Sequence, residues 1–141
     1  MIDIHLTDQV DVSFDLPMLT AFLEDVLSDL HQDVDSVGLI LADHDFVHAL
    51  NKDYLSHDYR TDVISFTYSE AHEALCGEVY IDIETAREQA MERGLSELAE
   101  VVRYSVHGLL HLVGHDDQST DEREAMRLLE DAYLATYSVP L

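Results

Sequence analysis

His107-Gly108-Leu109-Leu110-His111-Leu112-Val113-Gly114-His115-Asp116-Asp117 is the most informative stretch of this 141-residue chain. The apolar residues on either side of the histidines predict a helix. Two imidazoles at i and i+4 then project from one helical face a turn apart, which lets both bind a single metal ion. Gly114 follows the last apolar residue and suits a helix C-terminus, where a left-handed residue reverses the chain and can return Asp117 as a third ligand. Three protein ligands leave one coordination position open. That is the mark of a catalytic centre, because a structural zinc site is normally closed by four protein ligands.

The spacing His-x-x-x-His-x-x-Gly-x-x-Asp resembles the ligand frame of the metzincin proteases with one omission. Those enzymes place Glu directly after the first His as general base, and here that position is Gly108. Peptide hydrolysis by that route lacks its proton acceptor, whereas a phosphodiester needs mainly a Lewis acid and a positioned nucleophile.

The same stretch resembles the YbeY endoribonucleases, whose signature His-Gly-x-Leu-His-Leu-x-Gly-Tyr-Asp-His is met at His107, Gly108, Leu110, His111, Leu112, Gly114 and Asp116. It departs at His115, which replaces Tyr, and at Asp117, which replaces the final His. The resemblance gives Asp117 the third ligand position, a role that a carboxylate oxygen can fill, with His115 as the rival. A second block, Thr61-Asp62-Val63-Ile64-Ser65-Phe66, resembles the family's Thr-[Asn/Asp]-Val-Leu-Ser-Phe. Leu50-Asn51 and Tyr54 precede it, and Gly77-Glu78-Val79 follows where relatives show Gly-Asp-Ile. The similarity runs over roughly residues 35 to 135. Relatives carry an Arg after the Tyr that is thought to serve RNA cleavage; here Leu55 stands there, and Arg60, at the usual Pro, would substitute if its loop folds back.

The resemblance implies a metal-dependent, single-strand-specific endoribonuclease of rRNA maturation, including 16S rRNA 3′-end processing, and of ribosome quality control. Its metal would be one Zn²⁺ per chain on His107, His111 and Asp117. Its partners would be rRNA and the ribosome, with no DNA and no membrane. Arg103, one turn before His107 on the same helical face, would orient phosphate together with Arg60 as the catalytic arginines; the competing role for Arg103 is a salt bridge to Glu100 or Glu97. His57 and Ser65 are the substrate-binding candidates by motif position. Two other functions fit the residues. One is a hydrolase of a peptide or other non-RNA substrate, in which an acid such as Glu78 replaces the missing base. The other is a non-catalytic ribosome-associated module whose metal only staples the fold.

Outward from the histidines, the chain reads as one α+β domain over residues 1–141, with a four-stranded sheet and helices against it. The resemblance adds that the sheet is mixed and the metal helix central. Ile2, Ile4 and Leu6 alternate with polar residues as a short strand; Asp15-Leu16-Pro17 opens a helix whose apolar stripe runs through His31. Val37 to Ala42 is a second strand, and Asp43 caps a helix from Phe46 to Leu55. Asp62 to Tyr68 and Gly77 to Ile83 are the third and fourth strands, with Ser69 to Leu75 between them as a candidate lid. A helix runs from Thr85 to Arg93 and stops at Gly94. Ser96 and Glu97 start the histidine helix, and Ser119, Thr120 and Asp121 start a last helix that turns Met126, Leu129 and Tyr133 inward.

Hydrophobic residues make up 47% of the chain with only 5 Gly and 2 Pro, which marks a globular domain. No apolar run approaches bilayer length, and Met1-Ile2-Asp3-Ile4-His5 lacks the basic start of a signal peptide, so a cytoplasmic protein is expected. Cys76, the single cysteine, excludes an internal disulfide and reads as a small buried residue at a strand start. His5, His31, His44, His48 and His72 read as ordinary core or surface residues.

Charge is the unusual property: 30 acidic against 7 basic residues give a formal net of −23, with 18 Asp and a single lysine, Lys52. Such a surface repels polyanions and itself. It suits concentrated salt, where the screening length falls to about 3 Å at 1 M. The melting temperature is therefore expected to rise from dilute buffer to molar KCl; a flat or falling curve would count against a fold strained by carboxylate repulsion.

Overall fold

A computed structural model describes residues 1–55 and 62–136. The elements run β1 (Ile2–Leu6), α1 (Leu16–Asp29), β2 (Val34–Ala42), α2 (His44–Leu55), β3 (Val63–Thr67), β4 (Leu75–Asp82), α3 (Ile83–Arg93), α4 (Glu97–Leu112) and α5 (Thr120–Thr136). The sheet is mixed, in the order β1-β2-β4-β3, with β1, β2 and β4 parallel and β3 antiparallel to β4.

Strand alternation sorts the side chains to two faces. Val37, Leu39, Leu41, Val79 and Ile81 join α1, α3, α4 and α5 in the main core. On the other face Ala42 and Ile64 meet Val47 of α2, with Ile40, Phe66 and Tyr80 packed around them. The histidine helix is central as expected: its buried residues include Val101, Val102, Tyr104, Val106, Leu109, Leu110 and Leu112.

Helix ends follow local chemistry. Asp15 caps α1 by accepting from Met18 N at 3.1 Å, with Pro17 in the first turn. Ser96 caps α4 through Ala99 N at 3.1 Å. Ser119 and Glu122 form a reciprocal capping box on α5, each side chain accepting from the other's backbone N–H at 3.0 Å.

Several boundaries differ from the sequence reading. Ile83 belongs to α3 rather than β4, because the buried Asp82 carboxylate accepts from Thr85 N at 3.0 Å and starts the helix there. The helix α1 stops at Asp29, short of His31, which takes a left-handed φ of 58°. β2 begins at Val34, with a register shift between Val34 and Ser36. The segment expected as a lid closes the β3–β4 hairpin: Leu75 already lies in β4, and Ser69 Oγ accepts from Cys76 N at 3.0 Å. Cys76 itself is half-buried rather than buried.

Two glycines let α4 lie against the sheet. A Cβ on Gly108 would be driven into Val79 Cγ1, and one on Gly77 would come within 2.7 Å of Phe66 O and 2.9 Å of Leu112 Cδ2. At an exposed helix position Gly→Ala gains up to about 1 kcal/mol. At Gly108 the clash reverses the sign, and Gly108→Ala is expected to lower unfolding free energy by about 1–3 kcal/mol in denaturant titration; a stabilised variant would show that α4 is not held this close.

Candidate metal centre

His107 and His111 sit in the second half of α4, and their Nε2 atoms lie 3.1 Å apart. The helix then ends as the sequence predicts. Gly114 takes φ 99°, its N–H donates to His111 O at 3.1 Å, and His115 N donates to Leu110 O at 2.9 Å. These are the paired bonds of a Schellman motif, which reverses the chain after the helix. Asp117 returns to the histidines, with Oδ2 at 3.5 Å from His107 Nε2 and 3.4 Å from His111 Nε2.

The three atoms form a nearly regular triangle. Tetrahedral zinc with bonds near 2.0–2.1 Å spaces its ligand atoms about 3.3–3.4 Å apart, so the edges of 3.1, 3.4 and 3.5 Å fit an ion of that kind. His107, His111 and Asp117 are also the one cluster of metal-ligating side chains found among the described residues. His115, the rival third ligand, is exposed and lies outside it. Side-chain exposures of 23%, 27% and 37% leave the triangle open to solvent on one side, as a substrate site requires.

A residue that the sequence reading missed completes the support. Glu130 of α5 is 7% exposed, and its Oε2 accepts from His107 Nδ1 at 2.6 Å. This fixes the tautomer, because the proton on Nδ1 leaves the Nε2 lone pair for a metal. Burial lowers the pKa of His107, but the Glu130 hydrogen bond and charge, with Asp117 and Asp62 behind them, outweigh burial and hold it above the ordinary value. The available signal was helical: Glu130 lies four residues after Met126 and three before Tyr133, on the apolar stripe of α5.

Arg103 does face the histidine side, but its partners differ from those expected. Glu97 pairs with Arg87 at 3.0 Å and the buried Glu100 with Arg93 at 3.1 Å. Arg103 instead reaches Glu130 at 3.2 Å and Asp131 at 2.8 Å, bracing the carboxylate that orients His107. Ser65 Oγ donates to Gly108 O at 3.0 Å, tying β3 to the metal helix. Glu78 fails as a replacement base. Its Oε1 accepts from Tyr68 at 2.6 Å, on the sheet face opposite the one Ser65 and Val79 turn to α4. Arg60 and His57 lie outside the described residues.

The central helix of this α+β domain thus carries an open three-ligand cluster suited to one ion, the arrangement of catalytic rather than structural metal sites. The family model of Endoribonuclease YbeY matches residues 5–138. The Endoribonuclease YbeY of Salinibacter ruber is 47% identical over 106 residues, covering 70% of this chain and 68% of that protein. The one from Carboxydothermus hydrogenoformans is 36% identical over 134 residues, covering 93% and 92%. The solution structure of a Thermotoga maritima protein superposes with a TM-score of 0.67 at 26% identity, covering 95% of this chain and 87% of that one. The chain belongs to the YbeY family.

Replacing a residue that orients a metal ligand typically costs 10- to 100-fold in metal affinity. Glu130→Ala is accordingly expected to weaken metal binding about tenfold or more. Asp117→Ala should lower occupancy, and His115→Ala should leave it unchanged. Metal titration with elemental analysis checks the ranking; His115→Ala losing metal while Asp117→Ala retains it would reverse the ligand assignment.

Proposed function

We propose that the protein is a zinc-dependent endoribonuclease that cuts single-stranded regions of rRNA, acting with the ribosome in the cytoplasm in rRNA maturation and quality control. The observation that carries this reading is the open His107–His111–Asp117 triangle, in a chain of the YbeY family. No helix among the described residues is long and apolar enough to cross a membrane.

His107, His111 and Asp117 would hold the ion. When bound, zinc supplies Lewis acidity toward a phosphodiester oxygen. Glu130 keeps the Nδ1 proton on His107 and so keeps Nε2 turned to the centre. Arg103, paired with Glu130 and Asp131, holds Glu130 in place and so serves the centre as a positioning residue. Arg60 and His57, which precede β3 in the sequence, supply phosphate contacts in this reading. Ser65 serves the site through the Gly108 carbonyl.

A peptide substrate is disfavoured by the fold itself. The residue after His107 turns toward Val79, so a side chain there would meet the sheet rather than a bound peptide. Among the acids near the histidines, Glu130 is already engaged with His107 and Arg103.

Metal-replete protein is expected to cut unpaired RNA in preference to duplex, since unstacked bases and an accessible backbone are what such a site can reach. Chelator should abolish cleavage, and His111→Ala should abolish cleavage and metal retention together. RNA left uncut in both low and molar salt, with a peptide library hydrolysed under the same conditions, would overturn the nuclease reading.

A further inference from the structure

A protein of net charge −23 is a poor ligand for RNA unless its few cations are gathered where the backbone lies. They are gathered. Arg93, Arg103, Arg123 and Arg127, four of the seven basic residues, line one cavity of about 520 Å³ that has His107 and Asp117 in its wall. The cavity lies beside α4 and α5 and opens to solvent.

The four arginines are not equally committed. Arg93 is held by the buried Glu100, and Arg103 by Glu130 and Asp131. Arg123 touches neutral oxygens: the carbonyls of Asp117 at 3.4 Å and Gln118 at 3.1 Å, and the Thr120 hydroxyl at 3.3 Å. Among the described residues its charge is left without a carboxylate partner. Arg127, one turn further along α5 and exposed, makes no ion pair with another described residue. Arg123 and Arg127 therefore stand at i and i+4 on one helical face as a pair of uncompensated guanidinium groups, each suited to a phosphate oxygen.

We propose that this cleft takes the RNA backbone next to the scissile bond, with Arg127 and Arg123 on phosphates that flank the metal centre. The assignment rests on the endoribonuclease reading above and extends it to a substrate path. It gives the chain's scarce cations a location where four arginines face the four acids of the same wall, Asp62, Glu100, Asp117 and Glu130, of which Glu100 and Glu130 are paired with Arg93 and Arg103. Arg127 is the cleaner of the two to test, because Arg123 also holds the carbonyl of the ligand residue Asp117.

The experiment uses the metal-loaded full chain and a labelled single-stranded RNA oligonucleotide. Affinity, KM and kcat are measured over a salt series for wild type, Arg127→Gln, Arg127→Lys and Arg123→Gln/Arg127→Gln. Arg87→Gln is the control, since Arg87 pairs with Glu97 and Asp11 O away from this cleft. One lost charge-assisted contact is expected to weaken binding roughly tenfold. It should also make the slope of log affinity against log salt shallower by about 0.7 for a single strand. KM should rise by a similar factor, with kcat and metal content unchanged in Arg127→Gln, a larger effect in the double variant, and recovery in Arg127→Lys. If wild type cuts the RNA and the cleft variants match Arg87→Gln in KM and salt slope, the nuclease reading stands and the cleft assignment is overturned. If wild type neither binds nor cuts RNA, the nuclease reading fails and the cleft assignment falls with it.

Discussion

The contact on which the site depends is the approach of α4 to the β3–β4 hairpin. Gly108 rests against Val79 and Gly77 against Leu112, and at both points a single added carbon would displace the helix. Ser65 locks the same contact by donating to the Gly108 carbonyl. With the apolar side of α4 pinned to the sheet, 3.6-residue periodicity leaves His107 and His111 on the remaining side. The Schellman turn at Gly114 then has a fixed origin from which to bring Asp117 back. Gly108 is also the position where a metzincin would carry its general base, so the packing that builds this centre excludes the residue that would make it a peptidase.

A second layer of charge holds the centre on its solvent side. Glu130 crosses from α5 to His107, and Arg103 crosses from α4 to Glu130 and Asp131. Breaking such a partly buried network by removing one member leaves the others without compensation, which costs more than an exposed ion pair contributes. Elsewhere on α5 the Tyr133 hydroxyl donates to Asp29 of α1 at 2.6 Å, fastening the helix that carries Glu130 to the far side of the core. The candidate ligands His107, His111 and Asp117 are thus held by the sheet beneath them and by α5 above them.

The sequence was legible wherever the chemistry was local. The i, i+4 histidines, the glycine at the helix C-terminus, and the caps at Asp15, Ser96 and Ser119 each depend on residues within a turn or two, and each is found as read. The four strands were read from local alternation and β-branched runs, whereas the mixed sheet and the central helix followed from the family resemblance. Misreadings arose where the answer depends on contacts across the fold. Glu78 looks available in sequence, but strand register turns it away from α4. Arg103 was matched to acids on its own helix, while its partners lie 27 and 28 residues away on α5. Glu130 carried only the weak signal of a carboxylate on an apolar stripe. At Ile83 an apolar residue continued the strand pattern, and only the capping by Asp82 shows that the helix has begun.

The account turns on an open centre of two imidazoles and one carboxylate, so X-ray absorption spectroscopy of the zinc-loaded protein tests it most directly. It predicts four-coordinate zinc with two imidazole nitrogens and two oxygens, one from Asp117 and one from solvent. A shell of three imidazoles, or of four protein ligands with no solvent position, would contradict it.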